Sequence, residues 1–343
     1  MPVTGANEFD VLKSMRRRRR LSAFCGTAVC LVSGQSHREQ ELYAVHDALI
    51  ATDEAAIAEL FSSYRCKHVY LDVGTNVGVQ LRKLYEPAKY PKAVNTHSTF
   101  AKYFEADRPC GVCAIGIEPN PHHKHKLSQL QLRYRAAGAG ILILHAAASD
   151  ADGVAKLALG HETRKDAWED LGASASEAWA GLKRVGNPKQ LTVPVRAVDL
   201  SRIIHTIHRH LVANDEGAVP RSPRKGKIVM KLDIEGLEFA VLPSLIRSQA
   251  LCTLDAIRIE WHGRFWDRKV AMAAAAARNL SAPREVGAKA MVALTDAVRK
   301  GFRSVFPASD CRTELIEVDD ETYMHDRARW PDAGERICNN RTR

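Results

Sequence analysis

The sequence predicts an α/β fold, a doubly wound and mainly parallel sheet. Short, continuously apolar segments of strand length alternate with longer stretches of helical periodicity, and turn residues punctuate the junctions between them. Strands that are apolar on both faces belong in a sheet covered by helices on both sides, which is how parallel sheets occur. Residues 39–64 space Leu42, Val45, Leu49, Ile57, Leu60 and Phe61 as a helix does. The run His68–Asp72 then reads as the first buried strand, a Gly/Asn turn follows, and Val79–Tyr85 restarts a helix. Cys113–Glu118 is a second strand, stopped by Pro119 and Pro121. Residues 122–136 form a basic helix and Ile141–His145 a third strand. Leu191–Arg196 is expected at a sheet edge because Pro194 lacks the N–H that a central strand needs. Lys227–Asp233 is a fourth central strand leading into a helix from Leu237 to Ile246, and Leu254–Glu260 is a fifth. The Ala-rich stretch 270–278 favours helix. Phe302–Phe306 and Thr313–Val318 are expected to close the sheet with a terminal antiparallel strand. Residues 160–190 read as an insertion over the substrate side, and 214–226 as an exposed loop.

The chain therefore divides into a basic N-terminal segment (1–38), a leading helical segment (39–65), a main domain (66–325) and a C-terminal tail (326–343). Its 343 residues, 45% hydrophobic and 26% charged, exclude a mostly disordered chain, a collagen-like repeat and a multi-span membrane protein. The net charge of +10 is uneven, since residues 1–20 carry six basic and two acidic side chains, +4, which leaves +6 for the rest. That excess is compatible with an acidic partner but does not select one. The basic helix His122–Arg135 places Leu127 and Leu130 on one face, so its charges read as a solvated surface and no nucleic-acid partner is expected.

Five arginines, Arg16–Arg20, precede the apolar stretch LSAFCGTAVCLVSG at 21–34. This is the layout of a secretory signal or a short signal anchor, with Val32 and Gly34 as small residues before a cleavage point. It points to the secretory pathway or a Golgi membrane, with attachment through residues 21–34; a basic tail on a cytoplasmic protein is the alternative. Sequons at Asn279 and Asn340 are compatible with secretion. Eight cysteines are present. One C-x-x-C, Cys110 and Cys113, lacks the second pair of a zinc site and enters a strand instead of opening a helix, so no metal is expected. The two read as structural thiols, or as a disulfide if the chain is secreted.

Ligands of such sheets bind at the carboxyl ends of the strands. The first strand ends in Asp72-Val-Gly-Thr-Asn-Val-Gly78, where Gly74 and Gly78 let backbone approach a ligand ahead of a helix N-terminus. Position 76 is Asn, so the dinucleotide pattern G-x-G-x-x-G is absent and a nicotinamide oxidoreductase is disfavoured. The second strand ends in Glu118, whose carboxylate can accept from both hydroxyls of a ribose. Asp72, Gly74, Gly78 and Glu118 together suggest S-adenosylmethionine as the cofactor. In Lys231-Leu-Asp-Ile-Glu-Gly236, strand alternation puts Lys231, Asp233 and Glu235 on one side, and Gly236 permits the turn into the next helix. Three charges on an apolar strand are costly unless paired or functional; the alternative is a structural Lys231–Asp233 ion pair. Glu260 and His262 leave the fifth strand at the same edge.

The segments LDVGTNVG, GIEPNP, VRAVDL and IVMKLDIEGLEFAVLPSL resemble the FkbM-type S-adenosylmethionine-dependent methyltransferases. VQLRKLYEP, IEWHGRF and IEVDDETYMHD are similar to a eukaryotic-style branch of that family. The resemblance covers residues 66–325 and implies a Rossmann-like, class I methyltransferase fold and O-methylation of a hydroxyl on a sugar, lipid or small metabolite. It places Asp72, Gly74, Asn76, Gly78 and Glu118 in the cofactor pocket, and Lys231, Asp233, Glu235 and Gly236 in the fourth-strand motif. Methyl transfer is an in-line displacement that needs the acceptor aligned and its proton removed. Asp233 is expected to position the hydroxyl, with His262 as the alternative base because its ordinary pKa lies near 6.5. A methyltransferase-like binding module without turnover is the competing reading.

Overall fold

Residues that are apolar on both faces of a strand have to be covered on both sides, and the helices divide accordingly. The structure is a computed structural model that describes residues 48, 50–159, 192–214, 226–261, 311–317 and 335–338. By contacts the chain divides between Leu49 and Ile50, and the elements below belong to the second unit. Its strands are β1 (His68–Val73), β2 (Val112–Ile117), β3 (Ile141–Leu144), β4 (Ala147–Ser149), β5 (Gly153–Ala158), β6 (Thr192–Asp199), β7 (Ile228–Leu232), β8 (Ala256–Ile259) and β9 (Glu314–Glu317). Its helices are α1 (50–63), α2 (Val79–Tyr85), α3 (Val94–Phe104), α4 (Pro121–Ala136), α5 (Leu200–Ala213) and α6 (Glu238–Arg247).

The main sheet has the order β3-β2-β1-β7-β8-β9, and every pairing in it is parallel. The fold is Rossmann-like, with the topological switch between β1 and β7. Val69, Leu71 and Val73 of β1 pack in one cluster with Ile57 and Leu60 of α1, Ile203 and Ile207 of α5 and Leu245 of α6. Tyr70, on the other face, packs with Leu81 and Leu84 of α2, Phe100 and Phe104 of α3 and Leu127 and Leu130 of α4. The register sets Asp72 beside Gly116 on one flank and Lys231 on the other, with Arg258 beside Lys231. A single transverse row of the sheet thus carries three ionisable side chains, all of them buried.

Two strand expectations need correction. Glu314–Glu317 joins β8 in parallel, and its expected antiparallel partner at 302–306 lies outside the described residues. Cys252, just ahead of β8, is bonded to Cys311, just ahead of β9, which fits two strands that start from the same edge. Thr313 reinforces this by donating its hydroxyl to the carbonyls of Leu251 and Leu254, at 2.8 and 2.9 Å. Antiparallel pairing occurs instead in a second sheet of order β4-β6-β5, where β6 is central and not an edge strand. Pro194 is tolerated there because β4 pairs only with Ala197–Asp199, which leaves one flank of the strand open beside the proline. The expected strand at 302–306, the helix at 270–278, the insertion at 160–190, most of the loop at 214–226, both sequons and the apolar stretch 21–34 lie outside the described residues. Among the described residues no helix is long and apolar enough to cross a membrane.

Cys110 and Cys113 are neither thiols nor partners of one another. Cys113 is bonded to Cys66, just ahead of β1, and Cys110 to Cys338 in the C-terminal segment. Cys110 lies in the turn before β2 while Cys113 projects from the strand into the core, so their side chains diverge. All three bridges sit at the amino-terminal edge of the main sheet. The Cys110–Cys338 bridge closes a separation of 228 residues. Replacing both of its cysteines by serine is expected to lower stability by up to about 5 kcal/mol, read as a lower midpoint in denaturant unfolding with the other bridges intact.

Candidate active site

Opposite the disulfides, the carboxyl edge of the sheet opens into a cleft walled by the segments that follow β1, β2 and β7. Of the residues expected to hold a cofactor or act on a substrate, Gly74, Asn76, Glu118, Lys231, Asp233 and Glu235 line it together. Asp72 and Gly78 do not, and His262 lies outside the described residues.

The loop after β1 is fixed by its neighbours. The N–H groups of Gly74 and Thr75 donate to the carbonyl of Ile117 at 3.0 and 3.1 Å. The Thr75 hydroxyl donates to the carbonyl of Asp72 at 2.7 Å. Gly74 has φ +82°, and a Cβ there would lie 1.7 Å from the carbonyl oxygen of Asp233. Gly78 has φ +88°, and its Cβ would meet Leu130 of α4 at 2.5 Å. Contacts within the protein are enough to demand glycine at both positions. Gly74 lets two loops of the protein touch, and Gly78 lets the start of α2 pack on α4.

Glu118 follows β2, and its position is set by its own N–H donating to Leu144 at 3.1 Å. Its Oε2 accepts from the backbone N–H of Asn76 at 2.7 Å, and Oε1 from that of Asn120 at 2.9 Å. One N–H on each oxygen orients the carboxylate and leaves each with further accepting capacity. Nδ1 of His123, from the first turn of α4, stands 3.6 Å from Oε1. The side-chain oxygen of Asn76 is buried without a hydrogen-bond partner, the condition of a polar group that a ligand would satisfy.

On the third wall Nζ of Lys231 donates to Oδ2 of Asp233 at 2.6 Å. Burial disfavours the lysine's charge, but Asp233 and Asp72 outweigh it and hold the ammonium well above its ordinary pKa. Glu235 reaches the cleft by a different route from the expected one. Strand geometry ends at Leu232, so alternation does not extend to residue 235. Glu235 and Gly236 instead take left-handed φ values of 53° and 102° in a turn. Glu238 stabilises that turn, its two carboxylate oxygens accepting from the N–H groups of Ile234 at 2.9 Å and Gly236 at 2.8 Å. Glu260 is half-buried at the end of β8, where its N–H donates to Leu232, and it too favours the Lys231 ammonium.

Sequence reasoning missed Thr75, Gln80, His123 and the Ala147–Ala148 pair, all of which line the cleft, and it missed Glu238. Glu238 was recognisable in principle as an acid in the first turn of a helix behind a glycine turn. Among the described residues no group of three or more potential metal ligands is assembled.

Asp72 needs the largest revision. It is completely enclosed beneath the loop, and neither of its oxygens has a hydrogen-bond partner. Burial pushes its pKa up to about 7, against the pull of Lys231 and with the help of Asp233.

No protein-family model, curated protein or solved structure matches this chain.

Two outcomes follow from this geometry. Because the folded-state pKa of Asp72 lies above its unfolded value, its contribution is fully present below the unfolded pKa of about 4 and is lost as pH rises through about 7. Thermal unfolding of the Asp72→Asn variant is expected to lose that component of the pH dependence between pH 4 and 7. Gly74→Ala is expected to cost several kcal/mol, visible in denaturant unfolding, since both the positive φ and the carbonyl of Asp233 oppose a methyl group there.

Proposed function

We propose that the cleft binds S-adenosylmethionine and that the chain is an O-methyltransferase related to the FkbM-type enzymes. The observation that carries this reading is the state of Glu118. A carboxylate at the end of the strand next to β1 is held by two backbone N–H groups, faces the cleft and keeps accepting capacity for the two hydroxyls of a ribose. The Gly74–Asn76 loop and the Lys231–Asp233 pair then flank the remainder of a nucleoside-bearing ligand.

When bound, S-adenosylmethionine supplies an activated methyl group on a sulfonium. The protein has to orient the acceptor hydroxyl in line with it and accept the hydroxyl proton. Asp233 lines the cleft and accepts from Lys231, so its carboxylate can also take a hydrogen bond from the hydroxyl and fix its approach. Lys231 keeps the carboxylate in place and offsets its charge, and Glu235 offers a second accepting group across the turn. His262 stays a candidate base on sequence grounds.

The acceptor is a hydroxyl of a small molecule, lipid or glycan. Three disulfides support an oxidising compartment, which agrees with the basic and apolar character of residues 16–34 and with the secretory pathway.

Calorimetric titration with S-adenosylmethionine is expected to give saturable one-site binding, weakened at least about tenfold by Glu118→Ala, the loss of two charge-assisted hydrogen bonds. Asp233→Asn is expected to leave that binding nearly intact and to cut methyl transfer by on the order of 100-fold or more. Transfer can be followed as label from the cofactor incorporated into fractionated glycan, lipid or metabolite pools. Binding of a nicotinamide dinucleotide at the cleft in place of S-adenosylmethionine overturns the proposal.

A further inference from the structure

Asp72 is an ionisable group next to the cleft that the mechanism above does not use. It is entirely enclosed, and both carboxyl oxygens lack hydrogen bonds. Its register neighbour Lys231 is the obvious counterion but gives its ammonium to Asp233 at 2.6 Å. Lys83 of α2 also attracts it, while Glu118 after β2 and Asp233 after β7 repel it. Arg258, next beyond Lys231, donates Nη2 to the hydroxyl of Thr96 on α3, at 3.1 Å. A carboxylate in this setting, desolvated and without a donor, keeps its proton until further positive charge arrives.

We propose that Asp72 is a proton-exchanging counter-charge that lets the cleft distinguish a cationic ligand from its neutral counterpart. The inference rests on the reading of the cleft as a sulfonium site. While no cation occupies the cleft, the carboxyl carries its proton about half of the time at pH 7. When a sulfonium enters the cleft, its field adds to those of Lys231 and Lys83. The carboxyl O–H bond then breaks, its electron pair stays on Asp72 and the proton leaves to solvent. After methyl transfer the product is a neutral thioether, so Asp72 recovers a proton and the attraction that held the charged cofactor is lost. The residue thus favours the charged cofactor over its product without touching either, because its field acts through a low-dielectric layer one strand deep. Asp72 acts as a specificity-determining residue and not as a ligand of the cofactor.

The test is calorimetry of the full chain at pH 7 in two buffers of different ionisation enthalpy, with S-adenosylmethionine and with S-adenosylhomocysteine. Binding of the sulfonium is expected to release on the order of half a proton per site, since a group with a pKa of about 7 is half protonated there. Binding of the thioether is expected to release little or none. Because a proton is released, affinity for the sulfonium is expected to rise as pH goes from 6 to 8, by several-fold, with the thioether curve nearly flat. In Asp72→Asn, release on sulfonium binding and the difference between the two pH curves both disappear. Equal release with both ligands, undiminished release in the variant, or sulfonium binding without release overturns the inference and leaves the proposed function standing. Failure of both compounds to bind overturns the two together. The comparison of the two ligands on the unsubstituted chain decides the matter even if Asp72→Asn does not fold.

Discussion

The contact between the loop after β1 and the main-chain carbonyl of Asp233 is the constraint from which the site follows. With Gly74 at φ +82° and no Cβ, the two loops close to a distance that any side chain would prevent. That closure brings the segments after β1 and β7 into one wall, with Asp233 donating its N–H to Val73 at 3.0 Å. It also sets Lys231 and Asp233 opposite the carboxylate of Glu118. Asp72, immediately ahead of the loop, is sealed beneath it. The cleft and the buried acid are two consequences of one backbone approach.

The opposite edge of the sheet is built in another way. There the lead-ins to β1, β2, β8 and β9 are joined by disulfides, and Cys338 secures the C-terminal segment beside the end of α4, where its N–H and that of Ile337 donate to Ala137. Among the described residues the loops of the other edge carry no disulfide and are shaped by hydrogen bonds and the Lys231–Asp233 ion pair. The sheet beneath them is held in register by the bridges.

The central strands were legible because burial on both faces imposes a composition that few other settings tolerate. The run His68–Val73, for example, is buried at every position. Glu118 and the Lys231–Asp233 pair were legible for the related reason that charged groups at the ends of such strands are conspicuous. What escaped was whatever depends on partners distant in the chain. Cys110 and Cys113 read as structural thiols, or as a disulfide in a secreted chain, while their actual partners are 228 and 47 residues away. The parallel pairing of β9 with β8, and the Cys252–Cys311 bridge beside it, are encoded by no periodicity. Gly74 and Gly78 were recognised as necessary, but their crowding by Asp233 and Leu130 was not. Asp72 was taken for a surface of the pocket because a strand-end position does not reveal that the next three residues fold over it.

The transverse row of Asp72, Lys231 and Arg258 shows why the layer beside the cleft is ionic at all. Each of these residues replaces an apolar side chain that the sheet would otherwise place there, at a cost in desolvation. A purely structural device would pair the charges within the row, yet Lys231 is turned toward Asp233 at the cleft and Arg258 toward Thr96 of α3. Asp72 is left with long-range attraction only. An ion pair directed outward with an unmatched acid behind it is a poor arrangement for stability and an effective one for sensing charge, because in a low dielectric the unmatched group responds to whatever sits in front of the pair. On the proposed reading of the cleft, the cost of the row is the cost of coupling the protonation of the sheet to the charge of a ligand.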